Sequence, residues 1–105
     1  MIIYNVTVNV EEDIHNEWLD WMKTIHIPEV MATGMFQESK MLALISRQEG
    51  ETGFTYAIQY KAASLDDYFR YRDEFGPELQ RKTLEKYGNK VLAFRTLMGE
   101  HFVHA

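Results

Sequence analysis

His26 shares residues 18–36 (WLDWMKTIHIPEVMATGMF) with Trp18, Trp21, Met22, Met31 and Met35. An imidazole is the side chain best suited to give and take protons near neutrality. His26 stands where helical spacing meets Pro28, a position from which it can face the mouth of a cavity as acid or base; the competing role is to cap the free carbonyls of a broken helix. Trp21 and Met35 belong to an adaptable apolar group that lines either a hydrophobic pocket or a core, and Trp18 reads as core. Asn5, Thr7 and Gln59 supply polar contacts of the kind that orient a ligand. Arg72 and Arg95 interrupt apolar patterns; each is expected to pair with a carboxylate such as Asp73 or Glu74 near the surface, and Arg95, if it faces the lumen, suits an anionic ligand. Tyr4, Tyr56, Tyr60, Tyr68 and Tyr71 carry hydroxyls a ligand can use, although such rings commonly serve packing.

Other chemistries are disfavoured. His15 and His26 are about 16 Å apart along a continuous helix, too far to share a metal. His101 and His104 alternate faces in an extended tail. The chain has no HxxxH motif, so no metal site and no cofactor are expected. It has no cysteine, no GxSxG and no glycine-rich phosphate loop, which argues against thiol, acyl-transfer and nucleotide chemistry.

The 105 residues suffice for one domain, residues 1–105, with 46% apolar and 13% aromatic residues for its core. Net charge is −5 and the basic residues are scattered, so nucleic acid is not an expected partner. The N-terminal segment alternates apolar and polar residues instead of forming a signal-like apolar block, and no window approaches a membrane span. A cytoplasmic protein is the simplest reading.

These residues need elements to position them. Ile2, Tyr4, Val6, Val8 and Val10 alternate with Ile3, Asn5, Thr7 and Asn9, which predicts a strand. Ile14, Trp18, Trp21 and Ile25 then predict a helix, with Glu11, Glu12 and Asp13 in its first turn. Pro28 predicts a break near His26 and a restart over residues 28–33, ended by Gly34 as a left-handed cap. Residues 36–47 and 54–61 read as strands joined by a hairpin-type loop. Ser64 and Asp67 open a second helix as a capping box, interrupted at Gly76 and Pro77 and stopped by Gly88. A last strand follows over residues 90–98, with Gly99 suggesting a bulge. No internal repeat is visible by eye.

The order is βαββαβ, an α+β ferredoxin-like fold: a four-stranded antiparallel sheet with both helices on one face. If the valines of the first strand meet the helices, Asn5, Thr7, Asn9, Thr55, Ala57 and Gln59 face the other way. The second strand is apolar on both faces, through Met41 and Ile45 on one and Leu42 and Leu44 on the other, so both need cover. Two sheets packed face to face, a homodimeric α+β barrel, provide it.

The segments WxxWMKxxHIPEVMATGxF, YAIQYKAAS, DYFRYRDEF and VLAFRTLM together resemble a family of bacterial proteins of about this length and of unknown function. That family is related in fold to the dimeric α+β barrel, antibiotic-monooxygenase-like superfamily, which includes cofactor-free monooxygenases, isomerases and haem-degrading enzymes. The resemblance implies fold and dimer, and brings no catalytic residues with it. The first expectation is a homodimer binding a small, partly apolar molecule in the sheet cavity through His26, Asn5, Thr7 and Gln59. The alternatives are a cofactor-independent oxygenase or isomerase with His26 as base, and a non-catalytic protein-interaction module.

Overall fold

The computed structural model describes residues 1–105. Four strands, β1 (Ile2–Val10), β2 (Glu38–Ala43), β3 (Phe54–Ala62) and β4 (Val91–Gly99), form one sheet in the order β2-β3-β1-β4. Each neighbouring pair is antiparallel. The β1 register sets Val8 opposite Tyr56 and Ala93, and Val6 opposite Ile58 and Arg95. The even-numbered residues of β1 and β3 therefore share a face with the odd-numbered residues of β4. That face carries the core: Tyr4, Val8, Val10, Ile58, Tyr60 and Ala62 are all buried. The fold is the expected α+β, ferredoxin-like one. No helix is long and apolar enough to cross a membrane.

The helices differ from expectation at their prolines. The first run is α1 (His15–Trp21), a π-helical turn at Met22–His26 and α2 (Ile27–Ala32). It does not break near His26. His26 and Ile27 keep right-handed helical angles, and the Ile27 N–H donates to the Met22 carbonyl, five residues back. Proline lacks an N–H and crowds the carbonyl four residues earlier. The wider turn absorbs one residue and lets the helix continue through Pro28.

The second run repeats the device. α3 (Leu65–Arg70) leads to a π turn at Tyr71–Phe75 and α4 (Gly76–Tyr87), where the Gly76 N–H donates to the Tyr71 carbonyl just before Pro77. The two halves thus share a repeat of π turn, one residue and proline that is hidden in the sequence because their side chains differ.

Other local signals act as anticipated. The Asp67 N–H donates to Ser64 Oγ at 3.2 Å, capping α3. Gly34, at φ +77°, closes the first helical run. β2 is shorter than residues 36–47, and β4 pairs without a bulge through Gly99, opposite Ile2.

Candidate functional site

The two π turns converge over the sheet. Met22 and His26 come from the first and Tyr71 from the second, and all three line a cavity of about 50 Å³ between helices and sheet. Its floor is Tyr4, Val6, Ile58 and Tyr60 from the two central strands. At Gln80, Thr83, Ala93 and Arg95 the cavity meets an outer groove of about 370 Å³ between α4 and the edge strand β4, and these four residues line both spaces. The inner chamber alone has room for no more than a few waters. With the groove, the space reaches the lower end of ordinary ligand pockets, about 300–1,000 Å³.

The wall is a packed aromatic group. The Tyr4 ring centroid lies 5.9 Å from that of Tyr60 and 5.8 Å from that of Tyr71, and Phe36 packs against the last two at 5.2 and 4.8 Å, tilted to Tyr60 and edge-on to Tyr71. Burial pushes the phenols of Tyr60 and Tyr71 far up, so they remain protonated donors at any physiological pH. Neither gains a hydrogen bond that offsets this. Tyr4 is raised by burial too, though Arg95, whose Nε donates to Tyr4 Oη at 3.1 Å, opposes the rise.

His26 caps nothing. Its ring stacks on Trp21 at 4.9 Å with 22° between planes. Burial lowers its pKa below the ordinary value; Glu29 opposes this, while Arg95 and Lys82 add to it. The imidazole is therefore neutral at pH 7, as a general base must be. A pH dependence follows. An unfolded histidine titrates near 6.5, so as the pH falls below about 6.5 the unfolded chain takes up a proton the folded chain refuses. The stability associated with neutral His26 is present above that value, is lost progressively as the pH falls to the folded pKa, and changes no further below it. Urea unfolding of His26→Phe across this window should give a flatter stability profile than the parent chain. An unchanged slope would mean the imidazole is hydrated.

The expected site residues divide across the sheet. His26 and Arg95 lie on the helix side, and Trp21 supports His26 from behind. Asn5, Thr7 and Gln59 lie on the open side and satisfy one another: Gln59 Nε2 donates to Asn5 Oδ1 at 3.3 Å, and Asn5 Nδ2 to Thr7 Oγ1 at 3.0 Å. They cannot contact a ligand together with His26, because the sheet stands between. Met35 packs against the core and lies outside the cavity lining. Arg95 faces the helices, being paired with Val6 in register, and its partner is a tyrosine instead of a carboxylate. Gln80 escaped the sequence reading, and Thr83 entered it only as part of a helix stripe with Leu79, Leu84 and Tyr87, not as a site residue. Gln80 lies three residues before Thr83 and four before Leu84, and that spacing was the available signal for a shared helix face.

Residues 1–101 match the family described as Domain of unknown function (DUF4286). The chain belongs to that family. No curated protein matches the DUF4286 chain. Among solved structures it is similar to an ethyl tert-butyl ether degradation (EthD) family protein from Bacillus halodurans, at TM-score 0.72 and 12% identity over 96% of this chain and 100% of the other. It is also similar to a protein from Deinococcus radiodurans provisionally described as an antibiotic biosynthesis monooxygenase, at TM-score 0.62 and 17% identity over 100% of this chain and 97% of the other. At these identities the DUF4286 chain shares their fold, and nothing about activity follows.

Proposed function

We propose that this chain binds a small, partly apolar molecule in the cavity between its helices and its sheet, and that it works as a homodimer. The observation that carries the first part is a cavity that opens to a groove and is lined by Tyr60 and Tyr71, whose rings are buried and whose hydroxyls remain accessible and make no hydrogen bond within the protein. Hydroxyls on a cavity wall with no protein partner are free to donate to a ligand or to water. Native mass spectrometry of protein from its own host should find a discrete bound mass. Tyr71→Phe should leave stability nearly unchanged and weaken retention of that mass up to about tenfold, the value of one neutral hydrogen bond. A strongly destabilised Tyr71→Phe would instead mean that the hydroxyl serves the fold.

The second part rests on the open face. Leu42 on one edge strand, Leu44 just beyond that strand's end, and Leu92 and Phe94 on the other edge strand are exposed, Phe94 by 73%, and flank the central amides. Exposed apolar patches of this kind mark contact surfaces. Phe94→Glu should convert a dimer to a monomer in sedimentation, with the monomer still folded. A parent chain that sediments as a monomer at micromolar concentration would sink the idea.

The neutral imidazole on the cavity wall favours a second reading: a cofactor-independent isomerase or oxygenase in which His26 removes a proton from the bound molecule. Under that reading His26→Ala abolishes turnover and leaves ligand affinity mostly intact. Equal loss of both would refute it.

A further inference from the structure

The neck between the inner cavity and the outer groove has a distinctive charge environment. The chain carries 16 acidic residues, yet no aspartate or glutamate lines either space. Arg95 is the single permanently charged residue among all those that do. Three other arginines are engaged by carboxylates: Arg70 by Glu74, Arg72 by Asp73, and Arg81 by Glu78 and Glu85. The polar contact of Arg95 is Tyr4 Oη, reached through Nε, which leaves the terminal nitrogens of the guanidinium for another partner. Because Tyr4 Oη accepts that bond, its own proton points elsewhere and is available to the same partner.

We propose that this neck is an anion site, in which Arg95 and Tyr4 hold the carboxylate of a small amphipathic acid whose apolar part lies along the outer groove. The assignment rests on the reading that the cavity binds a small molecule. A planar guanidinium matches a carboxylate through two parallel N–H donors. The single positive charge suits a monoanion; a phosphate dianion would find no second cation in either chamber. The groove beyond the neck offers apolar side chains on the helix side, Leu84 at 67% exposure and Val91, against which a hydrocarbon or aryl body is removed from water.

The test is binding of hexanoate and hydrocinnamate, their primary amides, and inorganic phosphate, followed by backbone chemical shifts around Thr83 and Arg95. The acids should bind roughly ten- to a hundredfold more tightly than the amides, the range expected for a charge-assisted pair. Arg95→Gln should abolish that difference. Arg95→Lys keeps the charge without the fork and should retain part of it. Acids and amides binding alike to the parent chain would overturn the anion site and leave the cavity reading standing. Phosphate binding as tightly as hexanoate would overturn the amphipathic-acid class. Shifts from neither acids nor amides would overturn the cavity reading along with it.

Discussion

Trp18→Ala is expected to destabilise the chain by about 3–5 kcal/mol, the usual cost of deleting a large buried aromatic. Trp18 is 1% exposed and stands with Ile58, Val10 and Val30 among the most completely enclosed side chains. Its ring centroid lies 5.3 Å from that of Tyr56, so its loss opens a void between α1 and β3. A domain of this size has about 5–15 kcal/mol in total, so the change consumes a large part of it. Equilibrium denaturation measures this directly, with Leu84→Ala as the control. Leu84 is 67% exposed and should change stability by no more than about 0.5 kcal/mol. Similar costs for the two would mean that α1 is not docked as described.

The second large effect concerns a glycine. Gly53 sits at φ +74° immediately before β3, and a Cβ there would lie 2.5 Å from the Val10 carbonyl oxygen and 3.2 Å from Asn9 Oδ1. Neither neighbour can withdraw. Val10 is wholly buried in β1, and the Asn9 amide is held by the Thr52 carbonyl at 3.1 Å and Thr55 Oγ1 at 3.2 Å. Gly50 supplies the comparison: it has φ +84° and open space around it. Gly50→Ala should cost only the left-handed backbone penalty, roughly 1–2 kcal/mol. Gly53→Ala adds a backbone clash and should cost about 2–5 kcal/mol. Denaturation midpoints of the two variants decide it, and equal losses would contradict the close approach of Gly53 to β1.

Some features were legible locally. Alternation in β1 and β3 identified which side chains enter the core, because a strand's period of two assigns faces without reference to anything distant. Trp18 at helical spacing, the Ser64 cap and the Gly34 stop were equally readable, since each depends on a few consecutive residues. Pro28 and Pro77 were misread as breaks. A helix meets a proline either by stopping or by widening one turn, and the choice depends on whether packing against the sheet holds both flanking segments on one axis.

The candidate site was the part the sequence left undecided. It supplied His26, Arg95 and the tyrosines, but grouped His26 and Arg95 with Asn5, Thr7 and Gln59, which the sheet separates from them. Arg95 reaches the helix face because β4 pairs with β1 in a register that sets it opposite Val6, and a one-residue slip would have turned it outward. The cavity arises where two π turns, contributed by distant parts of the chain, meet over Tyr4 and Tyr60. Periodicity determined the faces of each element in isolation. Which faces enclose a common space depends on long-range pairing and helix packing, and only the tertiary structure decided that.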